Sequence, residues 1–465
     1  MAKLAAPQKN KEAATTTTTT KPQTAMKNST SEKKKDESSA AGGNSLLLTA
    51  LVALLGALIV GVSVQHPEHV RHATSRALQL VAPHFGLNVE LEHAPGGALN
   101  GDATSDPFAR SVDCKNALQY LTTALPVKGF HVLCIQSTPL DTLWITGFKD
   151  GMQPNVTRET AIEATVVKHE IERMFAISTE PVDEHARKYK QPYAFFTPDG
   201  ERLESGRLSA LMNRVVFLFE GGQFIWPGVE IGHKTVVKNV YGKGDVVLET
   251  LSMTPLVFGV DEFLKDEEID VIMALSLDHL KPSGVTHNDA HKDRPATDWR
   301  TSTTYFLPSS KHQLIQDIDR RTADLVKVPM SHQEYVQVLR YEKTQKYDHH
   351  LDFFSVANHQ QSPHVLESIE YGHKNRMITV FWYMSDVAKG GHTIFPRAGG
   401  LPRPESMRDC TKGLKVPPRK RNVIVFYSML PNGEGDPMSL HGGCPVEEGT
   451  KYSGNKWVWN KPRAN

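Results

Sequence analysis

The chain has 465 residues, with 53 Lys and Arg against 52 Asp and Glu, so its formal net charge is only +1. This balance excludes a protein whose whole surface attracts nucleic acid, and we expect no nucleic-acid partner. Four cysteines are too few for a disulfide-framed miniprotein but allow two bridges in an oxidising compartment. The 21 histidines offer many candidate metal ligands.

The N-terminal region differs sharply in composition from the rest. Residues 1–44 contain six consecutive threonines, eight lysines and four acidic residues, a composition that buries too little apolar area to offset ordering and predicts a disordered tail. Leu46–Val64 has no charged residue; as a helix it would be about 28 Å long, which predicts a transmembrane signal anchor over 45–64. Because lysines precede this segment, we expect a cytoplasmic tail and a lumenal remainder, as in a single-pass type II protein of the endoplasmic reticulum or Golgi membrane.

The next two segments carry no catalytic motif. Residues 65–110 are rich in Pro, Gly and His without sustained periodicity, which predicts a stalk or linker. Residues 111–247 have a globular pattern, and we assign them only as a lumenal domain of mixed α/β type. Within them the pattern predicts a helix over Val166–Ile177 and a hairpin that joins Arg214–Phe219 to Gln223–Trp226.

The last 215 residues give the clearest pattern of elements. A helix is predicted to begin at Asp266, where Glu267 and Glu268 suit its positive N-terminal end. Helices followed by many short strands predict an α+β domain whose sheet is a sandwich or barrel. The second helix and the four strands are predicted at Ser310–Leu325, Val336–Tyr341, Met377–Met384, Val423–Met429 and Lys456–Trp459.

One group of residues predicts a metal site. His350 and Asp352 are two apart in an extended segment, so their side chains leave the same face, and His441 follows an apolar strand. Two imidazoles and one carboxylate are typical of non-heme Fe(II) oxygenases, with open positions for a 2-oxo acid and dioxygen. Lys451 lies ten residues beyond His441 and suits the distal carboxylate of a dicarboxylate co-substrate. His349, next to the first ligand, should face the opposite side and lie at the surface.

Seven sequence blocks in order, from Leu248 to Pro462, carry a family resemblance. This stretch resembles the catalytic domain of prolyl 4-hydroxylases of the collagen and plant cell-wall type. The blocks are Arg300-Thr301-Ser302, Gln337-Val338-Leu339-Arg340-Tyr341, Gln345-Lys346-Tyr347 with His350 and Asp352, Tyr383-Met384-Ser385-Asp386, Gly390-Gly391-His392-Thr393-Ile394-Phe395-Pro396, Ser439-Leu440-His441-Gly442-Gly443-Cys444-Pro445, and Lys456-Trp457.

The resemblance implies a double-stranded β-helix, or jelly-roll, catalytic domain over 248–462 with flanking helices. It implies Fe(II), with 2-oxoglutarate and dioxygen as co-substrates and ascorbate as reductant. By motif position His350, Asp352 and His441 match the metal ligands, and Lys451 matches the residue that binds the far carboxylate of 2-oxoglutarate. The same comparison makes Tyr341 a helper of Lys451 and places Arg376 and Trp457 near the peptide substrate.

The implied reaction is hydroxylation of peptidyl proline at C4, coupled to decarboxylation of 2-oxoglutarate to succinate. One alternative is the same chemistry on another residue, such as peptidyl lysine, because these motifs define iron and co-substrate better than substrate. The other is a catalytically silent jelly-roll binding module. Proline-containing polypeptides are the expected partners; a subunit of the disulfide-isomerase type and the oligomeric state stay open.

Two positions depart from the family pattern. Thr344 stands where the family usually has glycine, so the turn before the metal strand is expected to differ. Trp459 replaces a histidine that is common near the peptide, which concerns substrate handling rather than iron chemistry.

The cysteines and one sequon complete the site predictions. Cys410 and Cys444 fall at motif-like positions, and we expect them to form a structural disulfide, since the spacing of a redox or zinc pair is missing. In a lumenal setting Cys114 and Cys134 can also pair. Asn155 begins the sequence Asn-Val-Thr, an acceptor pattern for N-glycosylation.

Overall fold

The computed structural model describes residues 112–122, 125–204, 206–291 and 293–463, which belong to one compact unit. The predicted tail, signal anchor and stalk lie outside these residues. Among the residues described, no helix is both long and apolar enough to cross a membrane.

An antiparallel six-stranded sheet, here the N-terminal sheet, is built from residues 130–219. Its order is β3-β2-β1-β6-β4-β5. One face packs against a helix through a separate apolar cluster that includes Ile145 and Ile171. The strands are β1 (Phe130–Ser137), β2 (Thr142–Phe148), β3 (Val156–Ala161), β4 (Ala194–Phe196), β5 (Arg202–Leu203) and β6 (Val215–Phe219).

The second sheet, here the major sheet, has nine antiparallel strands and begins ahead of the predicted domain boundary at residue 248. Its order is β10-β11-β12-β21-β14-β18-β9-β8-β7. The strands are β7 (Lys234–Val240), β8 (Gly244–Met253), β9 (Leu256–Val260), β10 (Lys281–Pro282), β11 (Thr303–Leu307), β12 (Val336–Tyr341), β14 (Arg376–Tyr383), β18 (Val423–Tyr427) and β21 (Lys451–Trp459).

A four-stranded sheet, here the minor sheet, completes the catalytic region, with order β13-β19-β16-β17. Phe395 of the minor sheet shares a buried apolar cluster with Leu339, Phe381 and Phe426 of the major sheet, so the two sheets pack face to face. Its strands, and those of a two-stranded ribbon beside it, are β13 (Tyr347–His350), β16 (Thr393–Phe395), β17 (Leu414–Val416) and β19 (His441–Gly443), with β15 (Lys389–Gly390) and β20 (Val446–Glu448) in the ribbon.

Helices cover the outer face of the major sheet. Ile269 and Ile315, from two of these helices, join Val338 and Ile378 of the sheet in the largest apolar cluster, which also takes in the N-terminal sheet. The α-helices are α1 (Val112–Lys115), α2 (Ala164–Phe175), α3 (Glu184–Tyr189), α4 (Leu208–Leu211), α5 (Asp266–Ser276), α6 (Gln313–Val326) and α7 (Pro363–Ser368).

Two buried ion pairs fix α6 against its neighbours. Arg321 forms a bidentate pair with Glu268 of α5, at 2.7 and 2.8 Å. Asp319 pairs with Lys456 of β21 at 2.6 Å. Because removing one partner of a buried pair leaves a charge without compensation, these contacts make the position of α6 on the sheet strongly specific.

The predicted hairpin after β6 is wrong in its second half. Residues 223–226 are not a strand; Phe224, Ile225 and Trp226 are buried one after another in the large apolar cluster. The Trp226 indole N–H donates to the carbonyl of Leu325 at 2.7 Å. The contact with α6 takes the place of a strand ladder in this segment.

Thr344, the departure from the family's glycine, adopts a left-handed backbone with φ of 70°. Its N–H donates to the carbonyl of Val446 at 2.8 Å, so the turn keeps its connection to the ribbon. A β-branched residue is unfavourable in this region of φ, and Thr344 itself is exposed.

We therefore expect Thr344→Gly to raise the free energy of unfolding by about 1 kcal/mol, since glycine adopts positive φ without a Cβ penalty. Urea unfolding of the two proteins measures the difference. Thr411→Gly, at an exposed threonine elsewhere, is the control and should give no gain; an equal or lower stability for Thr344→Gly would contradict the prediction.

Candidate active site and metal centre

Antiparallel pairing in the minor sheet brings two histidines together. His350 ends β13, His441 begins β19, and the two residues are direct cross-strand partners. Their rings lie 4.4 Å apart between centroids. Residues 91 positions apart along the chain are therefore placed side by side by strand register alone.

Asp352 completes the group two residues after His350. Its Oδ1 lies 3.6 Å from His350 Nε2, and its Oδ2 lies 3.6 Å from His441 Nε2. All three candidate ligand atoms lie within 4.8 Å of one another. Thr379 of β14 donates to Asp352 Oδ2 at 2.6 Å, so the major sheet orients the carboxylate from behind.

Hydrogen bonds from the Nδ1 atoms orient both imidazole rings for metal binding. His350 Nδ1 donates to the carbonyl of Asp348, and His441 Nδ1 donates to that of Ser439, both at 2.9 Å. A carbonyl can only accept, so each Nδ1 carries the proton and each Nε2 keeps its lone pair for a metal. Burial, reinforced by nearby His441, lowers the pKa of His350, which favours the neutral form that binds metal.

The carboxylate is also held in its ligand form. Burial on its own would raise the pKa of Asp352, but the imidazoles of His441 and His350 outweigh it, and the pKa lies below its ordinary value. Two neutral imidazoles and one ionised carboxylate at this spacing fit a divalent iron ion.

Lys451 is a buried cation whose surroundings are aromatic. It is 2% exposed and lies opposite Tyr341 in the β12–β21 ladder. Its Nζ is 5.2, 5.6 and 5.7 Å from the ring centroids of Phe381, Tyr341 and Tyr383. Burial alone lowers the pKa of Lys451 to about 7, and no acidic side chain of the described residues pairs with it. An acidic ligand would supply the missing partner.

The lysine and the metal ligands share one inter-sheet space. His441 packs against Phe426 at 4.6 Å and Phe395 at 5.8 Å between ring centroids. Both phenylalanines belong to the apolar cluster that contains Phe381 and Tyr341, the rings beside Lys451. The four side chains that the sequence predicted as iron and co-substrate ligands are thus gathered within one core.

A cavity of about 590 Å³ opens over the metal ligands. His350 and Asp352 line its floor, and Arg376 and Trp457 line its wall. The volume lies in the range of small-molecule and peptide-side-chain sites. Its lining combines aromatic rings with charged groups beside the candidate metal.

Comparison with known proteins agrees with this geometry. Residues 336–459 match the model of the 2OG-Fe(II) oxygenase superfamily. A probable prolyl 4-hydroxylase 3 of Arabidopsis thaliana is 37% identical over 224 residues, which cover 46% of this chain and 73% of that protein. Prolyl 4-hydroxylase 2 of the same plant is 36% identical, with coverage of 45% and 69%.

This chain belongs to the prolyl 4-hydroxylase family.

Among solved structures, a viral collagen prolyl hydroxylase from Paramecium bursaria Chlorella virus-1, in complex with 2OG, aligns with a TM-score of 0.31 and 23% identity. The alignment covers 44% of this chain and 95% of the viral chain. The family assignment rests on the sequence relatives. It confirms a 2-oxoglutarate- and Fe(II)-dependent dioxygenase and favours proline over lysine as the target.

In this prolyl 4-hydroxylase, Arg376 and Trp457 form one connected wall of the cavity. The Arg376 guanidinium lies 3.6 Å from the Trp457 ring centroid. Glu334 accepts two hydrogen bonds from Arg376, at 2.7 and 3.0 Å, and a third from the Trp459 indole N–H at 2.7 Å. Trp459 is therefore connected to Arg376 through Glu334.

Two residues of the motif blocks, Arg300 and Tyr347, also line the cavity. The Tyr347 ring stacks on His350 at 3.6 Å between centroids. The Arg300 guanidinium carbon lies 4.5 Å from the centroid of the Tyr347 ring. Both occur in the motif blocks of the family resemblance, which could have pointed to them. No motif block contains Glu334 or Thr379, because only the tertiary fold brings these two residues to the site.

The expectation for His349 is wrong. It is 6% exposed and lines the cavity, because the loop that contains Met407 covers that face of β13. The His349 N–H donates to the carbonyl of Met407 at 2.8 Å. Burial lowers the pKa of its imidazole.

Both predicted disulfides are present. Cys410–Cys444 has a Cα separation of 6.0 Å and ties the loop beside Met407 to the segment just after His441. Cys114–Cys134, with a Cα separation of 5.7 Å, joins α1 to β1. The first bridge therefore links two segments of the catalytic region, and the second links α1 to the first strand of the N-terminal sheet.

A first prediction about the site concerns Lys451 and the pH dependence of co-substrate binding. Only its protonated form attracts a carboxylate, and its pKa of about 7 means that the amine is mostly neutral at higher pH. The KM for 2-oxoglutarate should therefore rise with pH above about 7, approaching about tenfold per pH unit. Lys451→Arg stays charged and should lose this pH dependence. A wild-type KM that is constant between about pH 7 and pH 9 would contradict this role.

A second prediction separates metal binding from folding. His441→Ala should weaken Fe(II) binding by more than about 100-fold, since even loss of an outer partner costs about 10–100-fold. The variant should still unfold in one cooperative transition, with a midpoint lowered only by the lost packing of the His441 ring, because the apolar cluster between the sheets forms without the ion. Anaerobic calorimetry and thermal unfolding measure both effects, with exposed His169→Ala as the control. Retained binding would remove His441 from the ligand set.

Proposed function

We propose that this chain is a membrane-anchored prolyl 4-hydroxylase that acts at C4 of prolyl residues in polypeptides of the secretory pathway. One observation carries the proposal: three metal-ligand atoms gather within 4.8 Å, in the same core as a buried lysine that lacks an acidic partner. The facing major and minor sheets support a double-stranded β-helix for this domain.

Iron supplies the redox chemistry when bound, coupling oxidation of 2-oxoglutarate by dioxygen to hydroxylation of the substrate C–H bond. His350, Asp352 and His441 would hold it at one side, which leaves the remaining positions open. The Asp348 and Ser439 carbonyls fix the two imidazoles, so the ligand set needs little reorganisation on binding.

Lys451 gives the co-substrate its orientation. Its ammonium would pair with the far carboxylate of 2-oxoglutarate in a site closed to water by Tyr341, Phe381 and Tyr383. A charge-assisted contact in such surroundings is strong and also sets direction, so the keto-acid end is presented to the metal.

The cavity wall is suited to a peptide. Trp457 offers an apolar face, and Arg376 is kept rigid by Glu334. A proline ring packed against this wall would place one C–H group towards the metal without needing a hydrogen bond from the prolyl nitrogen. The positions of Arg376 and Trp457 thus support their predicted contact with substrate.

The cellular setting is inferred from independent features. Two disulfides are typical of an oxidising compartment. Asn155 is exposed just before β3, as a glycan acceptor must be. Together with the Lys-rich tail and the apolar segment 45–64, these features favour a type II protein of the endoplasmic reticulum or Golgi membrane. Ascorbate is the reductant we infer for iron oxidised outside productive cycles.

The decisive experiment is incubation of the full chain with Fe(II), 2-oxoglutarate, ascorbate and a proline-containing peptide. We expect succinate in step with peptide product, and tandem mass spectrometry should locate one added oxygen atom on proline. Asp352→Ala is the control and should give neither product. Oxygen found only on lysine of a second peptide, or succinate without peptide product, would contradict the proposal.

A further inference from the structure

Two loops at the cavity carry buried hydrogen-bond acceptors that lack partners. His359 lines the cavity and is 6% exposed. Its Nδ1 donates to the carbonyl of Ser355 at 2.9 Å, so the Nε2 of the neutral ring is an acceptor. Neither this Nε2 nor the side-chain oxygen of Asn288, which also lines the cavity, has a hydrogen-bond partner among the described residues.

The two loops are fixed to each other. The Asp289 carboxylate, next to Asn288, accepts from the Gln361 N–H at 2.6 Å and the Ser362 hydroxyl at 2.9 Å. The Ser362 N–H in turn donates to the carbonyl of His359 at 2.9 Å. Asn288 and His359 therefore belong to one connected rim, which we call the acceptor rim.

A buried acceptor without a donor is unfavourable, and such atoms in folded proteins usually have a partner. A molecule that fills the cavity can supply it. The Trp457 indole N–H is also unpartnered there, but it is a donor and can donate to any peptide carbonyl, including that of proline. The acceptor rim is selective, because prolyl residues have no backbone N–H to offer.

We propose that His359 Nε2 and Asn288 Oδ1 receive backbone N–H groups from the residues that flank the target proline. The enzyme would then favour prolines with non-prolyl neighbours over uninterrupted proline runs. This inference rests on the proposed function and names the sequence context of its substrate. A site built to accept a hydrogen bond discriminates against an analogue that lacks the donor.

The test uses two peptides of equal length with one proline each. The flanking residues are alanine in the first and L-lactate, joined through an ester, in the second, so each N–H is replaced by an oxygen atom of similar size. We expect the full-length enzyme to show a kcat/KM about tenfold higher for the first peptide. His359→Ala and Asn288→Ala should each raise the KM for that peptide about fivefold, with kcat and the KM for 2-oxoglutarate unchanged.

Three comparisons make the result specific. His364→Ala removes an exposed imidazole from α7, five residues beyond His359, and should behave as wild type. His359→Gln keeps a polar atom near Nε2 and should restore part of the preference. If His359→Ala does not fold, His359→Gln and Asn288→Ala provide the test in its place.

The outcomes separate this inference from the proposed function. Equal kcat/KM of the wild type for both peptides would overturn the inference but not the proposed function. The same would follow if both rim variants kept the full wild-type preference for the first peptide. In either case water would be the partner of these two acceptor atoms. Failure to hydroxylate either peptide, with no succinate formed, would overturn the proposed function itself.

Discussion

The active site depends on one strand pairing, that of β13 with β19. It makes His350 and His441 cross-strand neighbours, and the turn after β13 then returns Asp352 to the same point. A shift of this register by one residue would send one imidazole to the opposite face of the minor sheet. The disulfide at Cys444 and the glycines after His441 lie on this strand and its continuation, so the local covalent structure supports the same register.

The second constraint is that charged groups enter the interior only with a partner. Arg321, Lys456 and Arg376 each pair with a carboxylate, and those pairs fix α6 and the cavity wall. Lys451, by contrast, is a buried cation with no acidic partner among the described residues, which suits an acidic ligand. The cost of burying an amine in this way explains why its pKa falls and why a dicarboxylate matches the site. The N-terminal sheet, which carries no catalytic motif, contributes to this closed interior by adding to the apolar cluster behind the major sheet.

Regular elements were predictable wherever the pattern is local. The sequence interpretation placed β12 at Val336–Tyr341, as observed, and the start of α5 at Asp266. It was wrong at 223–226, where an apolar run that resembles a strand is a buried segment outside the sheet. It was also wrong about His349, because the loop that contains Met407 covers the face of β13 that strand alternation would leave exposed. Thr344 differs in another way. The turn keeps a φ of 70° although the family's glycine is missing, because the hydrogen bond from the Thr344 N–H to the Val446 carbonyl holds it.

The sequence alone determined the chemistry, because ligand type, the spacing of His350 and Asp352 and the order of the motif blocks are properties of the chain. Those properties indicated the metal ligands, the co-substrate lysine and the family. Only the tertiary structure decided which other residues serve the site. Thr379 behind Asp352, Glu334 behind Arg376 and the Asp289 link between two loops arise from contacts between segments distant in sequence. Single side chains of common types give no sequence signal for such contacts, since register and loop packing create them.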